Sequence, residues 1–250
     1  MKLGAQFYSL REECKTPEDL FNTMKRVKEI GYEVIQISGV CDIEAERLKS
    51  YIDELSLPVS CTHKPYDSIV NDTENLIKYH KTIGCPVIGL GSMGDMRFTL
   101  EGVRHFIDSI KEPIKKINDA GLTFAYHNHA FEFDVLDGYR AYDLLLEVPG
   151  LHFIHDVYWS TYAGEDPLKY VELLGREKRM TNIHFKDMKE APKGDICACG
   201  QGVIDFKPIA DLCKKVGIEY VLVEQDNAPE FDDAFEQMKL SYDHLAPIVR

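Results

Sequence analysis

The chain lacks a net basic charge, a long apolar run and a recognisable secretion signal. Its 29 lysines and arginines are outnumbered by 42 aspartates and glutamates, for a formal net charge of −13. Nucleic acid is therefore not an expected partner, because binding it takes a basic face that displaces counterions. No stretch reaches the ~18 consecutive apolar residues of a transmembrane helix, so no membrane association is expected. The N-terminal MKLGAQFYSL has neither an apolar h-region nor a small-residue cleavage site. The seven cysteines are odd in number and scattered, which fits a reducing cytoplasm better than a disulfide framework. Cys197 and Cys199 form a C-x-C with no second thiol pair nearby, which argues for a plain loop over a structural zinc site. No G-x-G-x-x-G follows the first apolar run, and this weakens a dinucleotide-binding reading.

What is present is a repeated alternation. Hydrophobic residues make up 44% of the 250, enough for a substantial core. Apolar runs expected to be strands are KLGAQFYS (2–9), VIQISG (34–39), PVSCTHKP (58–65), PVIGLGS (86–92), TFAYHNH (123–129), HFIHDVYW (152–159), MTNIHFKD (180–187) and EYVLVEQD (219–226). Between them lie helical patterns. The clearest follows Thr16-Pro17, an N-cap and N1 pair, with Leu20, Met24, Val27 and Ile30 on one stripe and Gly31 as its stop. A helix over 100–120 is expected to kink at Pro113. Helices that each return the chain to a short apolar run imply parallel strands. Eight such units in this length predict one α/β domain over 1–250, a closed (β/α)8 TIM barrel, with an open doubly wound sheet as the rival.

In such barrels chemistry sits at the C-terminal ends of the strands. Alternation puts His184 and Lys186 on one face with Phe185 turned outward, and it turns Leu222 and Glu224 inward while Val221 and Val223 face the helices. An inward carboxylate in an apolar strand needs a partner. A divalent cation would satisfy Glu224, Asp156, His184 and a carboxylate from the fifth strand together. A mixed carboxylate and imidazole set suits Mn²⁺, Co²⁺, Fe²⁺ or Zn²⁺ better than Ca²⁺. Taken singly, each of these residues is as well explained as a hydrogen-bonded or ion-paired structural group. Polar ends on four successive strands are harder to explain that way.

Six segments carry a family resemblance: GAQFYSLR, YHNHAFEF, HDVYW, HFKD, GQGVIDF and VEQD. In these the chain resembles, over essentially its whole length, the sugar phosphate isomerase/epimerase superfamily with its xylose isomerase-like TIM barrel. Inosose dehydratases and ketose 3-epimerases belong to the same group. The resemblance implies a divalent metal on a Glu, an Asp, a His and a Glu from strands five to eight. Asp156, His184 and Glu224 match the last three. The first is a departure, because His127 stands where relatives place the glutamate. Glu132 in AFEF is the expected fourth ligand, with His127 itself as the alternative.

On this resemblance the expected activity is that of a metal-dependent isomerase or epimerase acting on a ketose or cyclitol ketone through an enediolate. Glu224 and Glu132 would move protons, Lys186 and His63 would bind or protonate substrate oxygens, His127 would contact substrate, and Trp159 would form an apolar wall. A lyase of the inosose dehydratase type starts with the same proton abstraction and then expels water. A non-catalytic sugar-binding barrel is the third reading. The expected partner is a small sugar or cyclitol, with a homo-oligomer allowed. A phosphorylated substrate is not implied, since G-Q-G at 200–202 is only a weak phosphate cradle.

Overall fold

Eight short strands close on themselves. A computed structural model describes all 250 residues, Met1–Arg250. The barrel strands are β1 (Lys2–Gln6), β2 (Val34–Ile37), β3 (Val59–His63), β4 (Val87–Leu90), β5 (Thr123–His127), β6 (His152–Asp156), β7 (Met180–Phe185) and β8 (Tyr220–Val223). All neighbours pair in parallel, and β1 pairs with β8 to seal the barrel. Around them run α1 (Pro17–Ile30), α2 (Ala45–Leu55), α3 (Tyr66–Asn71), α4 (Thr73–Ile83), α5 (Leu100–Asp119), α6 (Ala141–Leu146), α7 (Val157–Tyr162), α8 (Pro167–Arg176), α9 (Phe206–Val216) and α10 (Ala234–Val249).

The predicted alternation holds. Val34, Cys61, Val87, Ala125, Ile154 and Leu222 form a small cluster of their own inside the barrel. The residues beside them in sequence, among them Ile35, Phe124, Phe153, Val221 and Val223, belong to the large core between sheet and helices. Phe185 likewise leaves the barrel and stacks on Phe206 of α9, with ring centroids 4.9 Å apart. Gly4 is required by this packing: a Cβ there would lie 2.6 Å from both Leu222 and Val34. Emptying the interior layer, for instance by Leu222→Ala, should cost ~2–5 kcal/mol through lost contacts and a residual cavity.

Capping explains where elements begin. Thr16 and Asp19 make a reciprocal capping box at α1, and Asp233 caps α10. The helix α5 is not broken at Pro113, which lies inside its Leu100–Asp119 span. The helix expected before Gly84 divides at Asp72 into α3 and α4. The strands also stop earlier than the apolar runs suggest. After β1 the chain turns into a 3-10 segment, Phe7–Glu13, and after β6 it enters α7 at once. The cause at β6 is Asp156, whose side chain caps the following helix by accepting from Trp159 N at 3.0 Å. No helix is long and apolar enough to cross a membrane.

Candidate metal centre

Strand register brings the site together. β6 and β7 pair Asp156 with His184, and β7 and β8 pair His184 with Leu222, two residues before Glu224. β1 and β2 pair Gln6 with Gln36 beside them. Four residues offer donor atoms that lie within 4.8 Å of one another: His127, Asp156, His184 and Glu224. His127 Nε2 is 3.4 Å from Asp156 Oδ2 and 3.9 Å from Glu224 Oε2. His184 Nδ1 is 3.0 Å from Glu224 Oε2 and 3.8 Å from Asp156 Oδ2. A first-row divalent ion with bonds of ~2.0–2.2 Å holds donors about 3–4 Å apart, so the four fit such an ion.

Each donor is turned inward by a second contact on its other atom. Gln6 Nε2 donates to Glu224 Oε1 at 2.6 Å, which leaves Oε2 for the cluster. His184 Nε2 donates to Gln36 Oε1 at 2.7 Å, which leaves Nδ1. Trp159 N holds Asp156 Oδ1, and Gly91 O lies 3.4 Å from His127 Nδ1. Partners of this kind set the tautomer and orientation of metal ligands. Asn128 adds rigidity by accepting from Asp156 N at 3.0 Å. Gln6, Gln36 and Asn128 stand at strand ends, but nothing in their residue type marks this orienting role.

Electrostatics agree with the geometry. Burial pushes the Asp156 and Glu224 carboxyls upward, yet the Lys186 ammonium and the ring N–H groups of His184 and His127 outweigh it and hold both well below the usual carboxylate range. Burial lowers Lys186, but Asp226, Glu224 and Asp156 raise it further, so it stays charged. Its Nζ lies 3.0 Å from Asp226 Oδ1 and 3.1 Å from Glu224 Oε2.

The cluster opens into a cavity of about 450 Å³ lined by His63, His127, His129, Lys186, Glu224 and Asp226 among others. Burial, and then the neighbouring His127 ring, keep His63 and His129 below the ordinary histidine value. Nε2 of His63 and Nδ1 of His129 are buried without a hydrogen-bond partner in the protein.

Two of the expected site residues stand apart from the four donors and the cavity lining. Glu132 is not among the four clustered donors. The 3-10 turn Phe131–Phe133 folds its carboxylate back beneath β5, where Oε1 accepts from Tyr126 Oη at 2.6 Å and Oε2 from His129 N at 2.7 Å. Both oxygens are engaged by the protein, and Glu132 does not line the cavity. His127 completes the group instead. Trp159 also lies outside this cavity. It sits on α7 and lines a neighbouring one of about 610 Å³ with Tyr158, Tyr162 and Phe231, while Lys186 Nζ rests 5.1 Å from its ring. The G-Q-G turn is no phosphate cradle: the backbone N–H groups of Gly200 and Gly202 both donate to Asp187 Oδ2, at 2.9 and 3.0 Å.

A closed eight-stranded parallel barrel wrapped by helices defines a class, the (β/α)8 TIM barrel, here with carboxylates and imidazoles that could hold a metal ion gathered past the strand ends. Within that class the chain belongs to the xylose isomerase-like TIM barrel family, whose model matches residues 24–246. Among solved structures it is similar to a sugar phosphate isomerase/epimerase from Parabacteroides distasonis (22% identity, 100% of both chains, TM-score 0.83). It is also similar to an IolI protein with a bound zinc atom (16%, 100% of this chain and 98% of that one, 0.75). A third likeness is to a D-allulose 3-epimerase from Methylomonas sp. (13%, 99% and 97%, 0.74). At these identities the likeness concerns the fold. No curated protein matches the chain by sequence.

Proposed function

We propose that this protein is a divalent-metal-dependent isomerase or epimerase that acts on a ketose or cyclitol ketone through an enediolate. The observation that carries this reading is the set of four inward donors, each oriented by a second protein contact, beside a charged lysine in a polar cavity. An ion held by His127, Asp156, His184 and Glu224 would act as a Lewis acid toward a substrate carbonyl and the adjacent hydroxyl. Lys186 supplies a fixed positive charge and a hydrogen-bond donor where negative charge develops on a substrate oxygen, in a site where it is already oriented. With Glu132 outside the cavity, the free ring nitrogens of His63 and His129 are the groups that would accept or return a proton at carbon. Their rings lie against that of His127, tilted and edge-on with centroids 5.2 and 4.8 Å away, and both line the same cavity.

One observation favours a second reading, a lyase of the inosose dehydratase type. Inverting a carbon takes proton-transfer groups on two faces of the planar intermediate, whereas elimination needs one base and one acid. The only carboxylates lining the cavity, Glu224 and Asp226, are both held by Lys186. Incubating the Mn²⁺-loaded protein in D₂O with ketoses, inososes and 3-keto sugars separates the two by mass spectrometry. Deuterium gain without loss of water is expected for the isomerase or epimerase, and loss of water selects the lyase. No exchange with metal confirmed bound would overturn both and leave a binding barrel.

A further inference from the structure

The cavity over the metal centre does not end at His63. Ser38, His63, Lys64 and Pro65 line it and also line a second cavity of about 520 Å³, so these four residues form the neck between the two. The far walls of the second cavity come from the segment after β2, which brings Asp42 and Glu44, from Arg47 and from Tyr79. Lys64 follows directly on β3, and its backbone N–H donates to Gly89 O at 2.9 Å, which fixes where its side chain departs.

The Lys64 side chain lies partly buried over the Tyr79 ring, with Nζ 4.4 Å from the centroid. No side chain hydrogen-bonds to it; of the two carboxylates that line the same cavity, Asp42 and Glu44, neither pairs with it, and Asp42 acts on it at a distance. Lys186 at the same mouth differs sharply, with carboxylate oxygens at 3.0 and 3.1 Å. Arg47, across the second cavity, donates from Nε to Tyr51 Oη at 2.7 Å and pairs with no acid. A partly desolvated ammonium without a counter-ion is costly, and a ligand anion would both neutralise it and accept its hydrogen bonds. Nε2 of His63, buried and unpartnered, stands at the same neck.

We infer that the substrate carries a negatively charged substituent, a carboxylate or a phosphate, which Lys64 binds in the second cavity while the reacting carbons lie over His127, Asp156, His184 and Glu224. This rests on the proposed reading of the centre as a sugar-processing site. It assigns Lys64 as the residue that selects acidic over neutral sugars.

The test compares three probes with the same ketose end: D-fructose, D-fructose 6-phosphate and D-fructuronate. Binding to the Mn²⁺-loaded protein is measured by calorimetry, and reductive methylation of Lys64 is followed by peptide mapping. At least one acidic probe should bind about ten-fold or more tighter than fructose and should protect Lys64 from methylation. Whichever acidic probe wins identifies carboxylate or phosphate. Lys64→Met should erase the preference while leaving fructose affinity within about two-fold, and Lys64→Arg should keep it. Equal affinity for all three probes, including binding by none, overturns the proposal. So does a preference that survives Lys64→Met. Preference and protection without deuterium exchange would remove the enolisation reading and leave the subsite. Exchange without preference would do the reverse.

Discussion

Gln6, the last residue of the first strand, holds Glu224, just past the end of the eighth, by a 2.6 Å hydrogen bond from Nε2 to Oε1. The contact crosses the seam where the barrel closes. It decides which oxygen of Glu224 turns to His184 and Lys186. Gln6 itself is pinned, because its Oε1 accepts from Tyr8 N at 2.5 Å. Removing the side chain in Gln6→Ala frees the carboxylate to rotate without touching the four donors. Metal affinity should fall by ~10–100-fold, the usual loss when such an orienting partner is removed. Calorimetry with Mn²⁺ or Zn²⁺ checks this, with circular dichroism to confirm the fold; unchanged affinity would mean that Gln6 does not orient the ligand.

Glu132 supports a prediction of opposite kind. It is fully buried, and burial raises its carboxyl from 4.5 to about 7 against the pull of the Tyr126 hydroxyl and of backbone N–H groups. The native state then binds a proton that the unfolded chain releases near pH 4.5. Stability from this group is fully present below that pH and is lost as pH rises toward 7. At ~1.4 kcal/mol for each tenfold difference in proton affinity, the loss is on the order of 3 kcal/mol. Glu132→Gln removes the titration, so its urea-unfolding free energy should decline less than the wild type's between pH 5 and pH 7. Its metal affinity should stay within about two-fold of wild type, because the carboxylate is not among the clustered donors.

How far these features were readable depends on how local their causes are. The eight units were legible because strand and helix periodicities are local, and Asp156, His184 and Glu224 because inward charges at apolar strand ends stand out against their neighbours. The choice between His127 and Glu132 was not legible. It turns on the three-residue 3-10 turn at Phe131, which carries Glu132 back onto Tyr126, and no pattern in AFEF announces that turn. The orienting roles of Gln6 and Gln36 were hidden for another reason. They arise only when β1 and β2 close against β7 and β8, about 150 to 220 residues away in sequence. Strand ends were overestimated wherever an apolar run continued into a capped helix, as HDVYW does after Asp156.

Asp187 offers a test of the loop that borders the site. Its carboxylate accepts four backbone N–H groups, from Met188, Gly200, Gly202 and Ile204, at 2.8 to 3.1 Å. It occupies the amide nest that an anion would otherwise fill. Gly202 leaves it room, since a Cβ there would lie 2.4 Å from Asp187 Oδ1. Asp187→Asn keeps the shape but turns an NH₂ toward two of the donors. Hydrogen bonds to a charged acceptor contribute ~1.5–3 kcal/mol each. A domain of this size shifts by ~2–4 °C per kcal/mol, so the thermal midpoint should fall by roughly 6–24 °C. Scanning fluorimetry checks the shift. A midpoint within a degree or two of wild type would mean that the loop does not depend on the nest.

His127 stands where the family resemblance implies a glutamate at the end of the fifth strand, and ligand chemistry predicts what the difference does. Two imidazoles and two carboxylates form a softer, less negative set than one imidazole and three carboxylates. Imidazole suits Zn²⁺, Co²⁺ and Fe²⁺, whereas carboxylates favour Mn²⁺ and Mg²⁺. The wild-type centre should therefore prefer Zn²⁺ over Mn²⁺ by a wider margin than His127→Glu. The variant's carboxylate would replace the ring that now faces Asp156 Oδ2 at 3.4 Å and Glu224 Oε2 at 3.9 Å. Without an ion it adds a third negative charge to a site that Lys186 and His184 must neutralise, so the metal-free variant should unfold at a lower temperature than the wild type and regain more stability when Mn²⁺ is added. Competition titrations with the two ions, and melts with and without each, read both effects. If the Zn²⁺-to-Mn²⁺ ratio is the same in the two proteins, His127 is not a ligand, and the cluster of four must be redrawn with three.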